Sequence, residues 1–263
     1  MQDLHLHSKD LNSYKKKEIY QNIFHIESTL YAYSAIGNKK IILKVFDDYM
    51  YKKLMQDKIH KTTYFKAKNF SFLTNPLFNV YISDFFAGYA MYNFNGISIK
   101  DYINPKNIDR GITLFKLVSN YLKILHENNI VFGDINKDNI LTNGTYVKFC
   151  DIDSFGTPYS SPTTLPYTIY QNINIPDINL SPYSDLFIIN LLILDIFMNV
   201  DINTITNIDI YSYKELIKSL KLSDHLNKVY LNIYDNLLNQ KELIYPSTYL
   251  DELKDIKKKA KTN

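Results

Sequence analysis

The order of apolar and polar positions divides the chain into a first part typical of β-strands and a second part typical of helices. Residues 19–46 contain short runs of β-branched and aromatic side chains that break at Gly37-Asn38, a pattern that predicts a β-hairpin. Residues 77–91 are again strand-like, whereas residues 47–66 lack Gly and Pro and suit a helix. We therefore expect the first part of the chain to be a sheet with one helix.

After Asn95 the spacing of apolar residues changes to that of helices. An amphipathic helix is predicted where apolar residues recur three and four positions apart, at Leu114, Leu117, Val118, Tyr121, Leu122 and Leu125. Two short apolar runs, residues 139–141 and 146–150, flank the turn Asn143-Gly144. This pattern predicts a second hairpin.

The rest of the second part is predicted to be a loop followed by helices. Residues 154–168 are rich in Ser, Thr and Pro, which predicts a loop, and helical patterns resume at residue 184. These predictions favour an α+β fold with two lobes in a single domain. Residues 1–94 would form an antiparallel sheet with one helix, and residues 95–263 a mainly helical lobe.

The composition is that of a globular protein, with 46% hydrophobic and 22% charged residues. A formal net charge of +3 is too small to predict nucleic-acid binding without a basic face. The apolar residues 186–200 are fewer than the ~20 that span a bilayer, so they predict a buried helix and no membrane contact. The single cysteine, Cys150, is expected to be a buried core residue in a reducing, cytoplasmic setting. The polar start of the chain, with His5 and His7, is expected to be disordered.

One segment carries acidic and amide residues at the spacing of a catalytic loop. Asp134 precedes Asn139 by five positions and follows the predicted amphipathic helix. A short loop of this kind can aim a carboxylate at an acceptor hydroxyl while the amide helps to hold a metal ion. A further acid, Asp151, follows the apolar run twelve positions after Asn139. In the joint order and spacing of these motifs, over about residues 20–200, the chain resembles the protein kinase superfamily.

The resemblance implies a role for each group in phosphotransfer from ATP. Asp134 would orient the acceptor hydroxyl, while Asn139 and Asp151 would hold Mg²⁺ on the phosphates of ATP. Lys44 resembles the strand lysine that positions the α- and β-phosphates. Asn136 stands where the family usually has its loop lysine, and Lys137 beside it is a candidate to reach the transferred phosphate.

Two longer motifs narrow the resemblance to one branch of the protein kinase superfamily. Residues 133–136 read G-D-I-N and residues 151–155 read D-I-D-S-F, which is similar to a bacterial-type branch of serine/threonine kinase domains. Alignment on this branch implies that Met91 lies at the back of the adenine pocket. The residues from Tyr92 to Phe94 would then be the hinge whose backbone bonds the base. Asp185 resembles the acid that braces the catalytic loop from below, with a simple helix cap as the alternative.

The phosphate-covering loop departs from the family pattern. It aligns with residues 25–31, which contain no glycine, although backbone amides approach phosphates closely only where side chains do not intrude. The hydroxyls of Ser28 and Thr29 are the expected substitutes. The family's helix Glu is also missing from residues 47–66, so Asp57 is the expected partner of Lys44.

Three further departures concern regulation and the metal motif. Phe132-Gly133 replaces the His-Arg pair before the catalytic Asp, which argues against control by a phosphorylated loop. Gln171 replaces the Glu of the A-P-E motif. Asp153 replaces the Gly of D-F-G and adds an acid that could stiffen the turn or approach a metal.

Three functions are compatible with these residues. The leading one is a Mg-ATP-dependent protein kinase that phosphorylates serine or threonine of a protein substrate. The departures favour a pseudokinase that acts as a nucleotide-binding or scaffolding module. A small-molecule kinase of the aminoglycoside or choline type is the third, but only 63 residues follow Val200 to build its substrate pocket. Self-phosphorylation is a candidate at Ser160, Ser161, Thr163 or Thr164, with a solvated polar loop as the alternative for any one of them.

Overall fold

A computed structural model of the protein describes residues 2–14, 28–36, 39–47, 49–104, 106–162, 179–200 and 210–254. The described residues form a mixed α+β structure, as the sequence predicts. The Gly37-Asn38 turn, Gln171, Thr163 and Thr164 lie outside them. Contacts within the chain define two compact units, one of Met1–Asn95 with Lys148–Asp153 and one of Gly96–Val147 with Ser154–Asn263. The first unit thus includes Lys148–Asp153, which a division of the sequence at residue 94 assigned to the second lobe.

The first unit contains a five-stranded sheet with the strand order β1-β4-β5-β3-β2. Its strands are β1 (Leu4–Leu6), β2 (Ser28–Ile36), β3 (Lys39–Phe46), β4 (Pro76–Ile82) and β5 (Phe85–Tyr92). β1 runs parallel to β4, and the other neighbouring strands are antiparallel. The expectation of a disordered chain start is therefore wrong. β1 is ordered by its pairing with β4, and His5 stacks on Tyr81 with 4.9 Å between ring centroids.

The strand-like residues 77–91 form two strands rather than one. A tight turn separates β4 from β5 at Ser83 and Asp84, which have φ angles of 48° and 67°. Positive φ at both central residues matches the right-handed twist of the flanking strands, and Asp tolerates this conformation. The turn contains no Gly or Pro, so the sequence pattern predicts no break at this point.

Side chains of β3 alternate between two faces of the sheet. Leu43 and Val45 join the buried apolar cluster that also contains Phe78 and Val80 of β4. Because the side-chain period of a strand is two, Lys44 lies on the opposite face. Helix α1 (Lys52–Lys68) packs against β4 and β5, and the predicted helix over residues 47–66 is confirmed.

The second unit is mainly helical. It contains the short strands β6 (Ile97–Ser98) and β7 (Ile140–Thr142), with β8 (Val147–Phe149) beginning at its boundary. The helices are α2 (Ile99–Tyr102), α3 (Ile108–Glu127), α4 (Pro182–Met198), α5 (Ile210–Ser219) and α6 (Asp224–Asn239). The predicted amphipathic helix corresponds to α3, whose apolar face is buried. The predicted strands on either side of Asn143-Gly144 are confirmed as β7 and β8.

Helix α4 is buried almost throughout, which confirms the prediction for the apolar run. Ser181 caps its N-terminus by accepting a hydrogen bond from the backbone N–H of Ser184, and Pro182 fits the first turn because that position needs no N–H donor. A helix that is apolar on all sides must be surrounded by other elements. Among the residues that the structure describes, no helix is both long enough and apolar enough to cross a membrane.

Candidate functional site

The predicted site residues fall into two groups, one in each compact unit. Asp134, Asn136, Lys137 and Asn139 belong to the second unit. The other group, in the first unit, consists of Lys44, Asp57, Asp151, Ser28, Thr29, Met91, Tyr92 and Phe94.

The backbone just before Asp134 is fixed by a buried carboxylate. Asp185, near the start of α4, is fully buried. Its Oδ2 accepts a hydrogen bond from the N–H of Phe132 at 2.7 Å, and its Oδ1 accepts one from the N–H of Gly133 at 2.9 Å. The brace predicted for Asp185 is therefore confirmed, and the alternative of a simple helix cap is wrong.

His126 completes the support beneath this loop. Its Nε2 lies 3.0 Å from Asp185 Oδ2, and its Nδ1 lies 3.0 Å from the hydroxyl of Tyr245. A buried carboxylate is stable only when hydrogen bonds satisfy its oxygens, and Asp185 has three such partners. The Asp185 carboxylate beneath the loop is thus hydrogen-bonded through both of its oxygens and held in place.

Gly133 occupies a backbone conformation that favours glycine. Its φ is +75°, and a Cβ built at this position would lie 2.8 Å from Cβ of Pro162. Glycine suits this conformation, because it carries no Cβ to strain the backbone or clash. The next residue, Asp134, is half-buried.

Asp134 and Asn139 are in direct contact. The Nδ2 group of Asn139 donates to Asp134 Oδ2 and to the Asp134 carbonyl oxygen, each at 2.9 Å. Asn136 lies at the centre of the turn, because its Oδ1 accepts from the backbone N–H groups of Asp138 and Asn139 at 2.9 and 3.0 Å. The Nδ2 of Asn136 also donates to Asp134 Oδ1 at 3.3 Å. The loop thus holds the carboxylate of Asp134 from two sides.

Lys137 is half-buried, and its backbone carbonyl accepts a hydrogen bond from the Ser98 hydroxyl at 2.8 Å. This bond ties the turn to the start of α2. The predicted reach of the Lys137 side chain toward a transferred phosphate stays a prediction.

In the first unit, the segment that delivers Asp151 is anchored along one edge of its backbone by residues 72–74. The N–H of Phe149 donates to the carbonyl of Phe72 at 2.9 Å, and the N–H of Thr74 donates to the carbonyl of Phe149 at 3.0 Å. Cys150, expected to be buried, is only half-buried. Asp151 itself has a φ of 61°, a left-handed conformation that is uncommon outside glycine and that clusters at functional sites.

Lys44 pairs with two acids of residues 151–155, which are named the metal-motif segment after the motif they resemble. Its Nζ forms an ion pair with Asp151 and a second one with Asp153 Oδ1 at 2.6 Å. The side chain of Asp151 is 33% exposed, whereas that of Asp153 is only 3% exposed. Burial opposes the charge on Lys44, but the two carboxylates outweigh it and raise the pKa of Lys44 well above its usual value.

Asp153 has two further partners in the first unit. Lys58 of α1 donates to Asp153 Oδ2 at 3.0 Å, and the buried hydroxyl of Tyr89 donates to Asp153 Oδ1 at 3.0 Å. Burial alone would raise the pKa of Asp153, but Lys44 and Lys58 hold it well below its usual range. Burial raises the pKa of Asp151, with Lys44 opposing, so Asp153 holds its negative charge more firmly than Asp151.

The predicted pairing of Asp57 with Lys44 is not what the structure shows. Asp57 forms an ion pair with Lys61, one turn further along α1, at 2.9 Å. The described ion pairs of Lys44 go instead to Asp151 and Asp153. The physical reason is the rotation of α1 about its axis, which turns Lys58 rather than Asp57 toward the metal-motif segment.

Ser28 and Thr29 lie in a strand rather than in a loop. They begin β2, opposite Phe46 and Val45 of β3. The Thr29 hydroxyl donates to Asp47 Oδ1 at 3.3 Å. Residues 25–27 of the predicted phosphate loop lie outside the described residues, and phosphate binding by the two hydroxyls stays a prediction.

The predicted hinge continues from β5. Met91 is buried and pairs with Ile42, and Tyr92 ends the strand opposite Ile41. The N–H of Asn93 donates to the Lys40 carbonyl at 2.8 Å, so it cannot also bond a base. Because N–H and C=O groups alternate in direction along a strand, a base would have to use the groups of Tyr92 and Phe94.

The start of the predicted activation segment forms a tight turn. Thr157 and Ser160 exchange two backbone hydrogen bonds, of 2.7 and 3.2 Å, with Tyr159 exposed at the tip. Ser160 is half-buried and Ser161 is exposed, which makes Ser161 the more accessible of these two predicted self-phosphorylation sites.

Lys58 and Tyr89 were missed by reasoning from the sequence. The family pattern directs attention to acids on the helix, and the only signal for Lys58 is its position next to Asp57. Tyr89 lies opposite Lys44 in the pairing of β3 with β5, a relationship that the sequence does not contain. Within the described ranges, no three His, Cys, Asp or Glu side chains cluster as ligands of a metal ion.

In comparisons with known proteins, no protein-family model matches this chain, and no curated protein matches it. The likeness to protein kinases therefore stays a prediction from the sequence motifs.

Proposed function

We propose that the protein is a Mg-ATP-dependent phosphotransferase of the protein kinase type, which transfers the γ-phosphate of ATP to a serine or threonine hydroxyl of a protein. The observation that carries the proposal is the ion pair between Lys44 and Asp151. The two residues are separated by 107 positions, and the motif spacing selected both of them without reference to any contact. In protein kinases the strand lysine binds the phosphates of ATP and the acid of the metal motif binds Mg²⁺ on the same phosphates, so the two side chains lie close together.

The carboxylate that would orient the acceptor hydroxyl, that of Asp134, belongs to the second unit. Asp134 would accept the hydrogen bond of the acceptor hydroxyl and orient its oxygen for attack on the γ-phosphate. The contacts of Asn136 and Asn139 support this role, because they fix the Asp134 carboxylate before any substrate binds. The bonds from Asp185 to the loop backbone add to this rigidity.

The donor set suits magnesium. Mg²⁺ prefers oxygen ligands and usually takes one or two carboxylates together with phosphates. In the first unit the Asp151 carboxylate would be a ligand of the ion. In the second unit the candidate ligand is the Oδ1 oxygen of Asn139, since its amide Nδ2 already donates to Asp134. The ion, when bound, would neutralise charge that develops on the phosphates.

One observation favours the pseudokinase as a second candidate. Two carboxylates neutralise Lys44, so a phosphate must compete with them for the amine. In an enzyme, Asp151 would turn from Lys44 to bind Mg²⁺, which would leave the amine available to a phosphate. A scaffold can bind nucleotide weakly, or not at all, and keep the ion pairs.

The experiment that tests the proposal uses purified protein with radiolabelled ATP and Mg²⁺, compared with Asp134→Ala and Asp151→Asn. Asp195→Asn is the matched control, because Asp195 is an acid in a described helix whose partner is Lys100. We expect label on the chain itself or on a generic basic protein with the wild type and the control, and none with the two site variants. Label that survives in Asp134→Ala would contradict the proposal.

The other two functions give different results in the same assay. Magnesium-dependent thermal stabilisation by ATP without any label indicates a pseudokinase. Label that appears only on added small alcohols, such as choline or an aminoglycoside, indicates a small-molecule kinase. Absence of both label and stabilisation would exclude nucleotide-dependent function altogether.

A further inference from the structure

The acid that holds Lys44 comes from an unexpected position in the chain. In the kinase pattern the strand lysine pairs with a helix acid, and the residue two positions after the metal-binding Asp is a glycine. Here the helix presents Lys58, and the glycine position is Asp153. An acid thus stands at the glycine position of the metal-motif segment, and a base on the helix takes the place of its acid.

Asp151 and Asp153 differ in the exposure of their side chains, and this difference decides which of them can move away from Lys44. The Asp151 side chain is 33% exposed, so it can reach a ligand from solvent. The Asp153 side chain is 3% exposed and is held by Lys58 at 3.0 Å and by the Tyr89 hydroxyl at 3.0 Å. A charge buried this deeply is stable only while its partners remain, so Asp153 is fixed in place.

The charges of the four side chains also indicate that Asp153, rather than Asp151, stays paired with Lys44. Lys44 and Lys58 carry two positive charges, and Asp151 and Asp153 carry two negative charges. If Asp151 turns to a magnesium ion, Lys44 loses one carboxylate and keeps the other. The amine then has one ion pair to hold its position and remaining N–H donors for phosphate oxygens.

We infer that Asp153 is the positioning residue of Lys44 and takes the place of the missing helix acid. It does not touch the reacting atoms. Lys58 holds Oδ2 of its carboxylate, and Tyr89 donates to Oδ1, the oxygen that also binds Lys44. In this way α1, β5 and the metal-motif segment together fix the lysine of β3. The consequence for catalysis rests on the proposed function, but the contact itself does not.

Chemical labelling of Lys44 tests the contact independently of any activity. The folded full-length chain is treated with a limiting amount of an amine-acetylating reagent, and acetylation of the Lys44 peptide is measured by mass spectrometry. We expect Asp153→Asn to increase acetylation of Lys44 about tenfold, because a hydrogen-bonded ion pair no longer competes with the reagent. Asp153→Glu keeps a carboxylate and is expected to restore part of the protection. Circular dichroism establishes that each variant is folded.

Asp57→Asn is the discriminating variant in the same experiment, because Asp57 is the acid of α1 that the sequence suggested as the partner of Lys44. We expect it to leave acetylation of Lys44 within twofold of the wild type. Protection of Lys44 that is lost in folded Asp57→Asn and retained in Asp153→Asn would overturn the inference.

Steady-state phosphotransfer then tests the positioning role. Asp153→Asn is expected to raise the KM for ATP about tenfold and to lower kcat by a smaller factor, because it loosens a group that binds the nucleotide. Asp134→Ala is expected to show the opposite division, with kcat lost and KM little changed. Wild-type KM and kcat in Asp153→Asn, with Asp134→Ala inactive, would overturn the positioning role and leave the proposed function intact. A wild type without any phosphotransfer would contradict the proposed function, while the labelling result still decides the contact.

A second variant covers the case in which Asp153→Asn does not fold. Tyr89→Phe keeps the buried ring and removes one hydrogen bond to Asp153. We expect it to raise both the acetylation of Lys44 and the KM for ATP about twofold to fivefold. No change in either quantity would count against Asp153 as the residue that positions Lys44.

Discussion

Asp185 accepts a hydrogen bond from the backbone N–H of Gly133 at 2.9 Å, and so joins the first turn of α4 to the residue that precedes Asp134. The same carboxylate accepts from the N–H of Phe132 at 2.7 Å and contacts His126 at 3.0 Å. The loop that carries Asp134 therefore takes its position from a buried acid 52 residues further along the chain.

Removal of this acid is expected to destabilise the protein strongly. Asp185→Ala leaves two buried N–H donors without an acceptor and should cost about 3–5 kcal/mol of unfolding free energy, measured by urea denaturation. Asp195→Asn, in the same helix, breaks a partly exposed ion pair of 2.5 Å with Lys100 and should cost less than about 1 kcal/mol. Equal losses in the two variants would contradict the role of Asp185 as a brace.

The backbone of Lys44 passes so close to Gly88 that only a residue without a Cβ fits at position 88. A Cβ at Gly88 would lie 1.8 Å from the carbonyl oxygen of Lys44, so the pairing of β3 with β5 must shift to admit it. We expect Gly88→Ala to cost about 3 kcal/mol and to abolish thermal stabilisation by Mg-ATP, because Lys44 moves with its backbone.

Gly111→Ala is the matched control for Gly88→Ala. The added methyl group meets only the flexible side chain of Ile103, at 3.0 Å, and alanine favours the helical conformation of α3 by up to about 1 kcal/mol over glycine. The melting temperature of Gly111→Ala should stay close to that of the wild type. A comparable loss of stability in both variants would argue against the close approach at Gly88.

Asn136 is expected to act on catalysis through the loop backbone. Asn136→Ala removes the acceptor of two backbone N–H groups and should lower kcat at least about tenfold, with little change in the KM for ATP. Asn143 makes the same kind of turn elsewhere, with its Oδ1 accepting from Thr145 and Tyr146 at 3.0 and 2.9 Å. Asn143→Ala should show a similar loss of stability and wild-type kcat, and a fall in kcat in both variants would indicate a general effect of unfolding.

The hydroxyls of Ser28 and Thr29 can be separated by substitution. If Ser28 donates to a phosphate in place of a glycine-rich loop, Ser28→Ala should raise the KM for ATP by about tenfold or more, the value of one hydrogen bond to a charged group. Thr29 already donates to Asp47 at 3.3 Å, so Thr29→Val should have the smaller effect on KM. Steady-state kinetics with varied ATP measures both, and unchanged KM in Ser28→Ala would exclude its hydroxyl from phosphate binding.

The stability of the second unit is expected to depend on pH through Glu252. Hydrogen bonding from the Ser223 hydroxyl lowers the pKa of Glu252 from 4.5, with burial opposing and the His225 contact assisting. Because the folded pKa is depressed, this contribution to stability is present above the unfolded pKa of 4.5 and is lost as the pH falls through the folded value. Glu252→Gln should therefore lose less of its melting temperature than the wild type between pH 5 and 3. A thermal shift series across this range measures the difference, and parallel curves would contradict it.

Reasoning from the sequence identified the residues that local patterns govern. The alternation of β3, the helical spacing of α3 and the five-residue interval from Asp134 to Asn139 are properties of short segments, so they can be read without knowledge of the rest of the chain. The predicted ends of secondary-structure elements were less accurate. The tight turn at Ser83 and Asp84, for example, contains no Gly or Pro that would mark the end of a strand.

The partner of Lys44 was decided only by the tertiary structure. Asp57 and Lys58 are neighbours in the sequence, but neighbouring residues of a helix point about 100° apart. The rotation of α1 about its axis therefore determines which of the two faces the metal-motif segment. That rotation is set by the packing of α1 against β4 and β5, which involves residues far apart in the chain. The sequence therefore named the lysine and the acid Asp151, whereas packing made Asp153 the buried partner of Lys44 and turned Lys58 toward it.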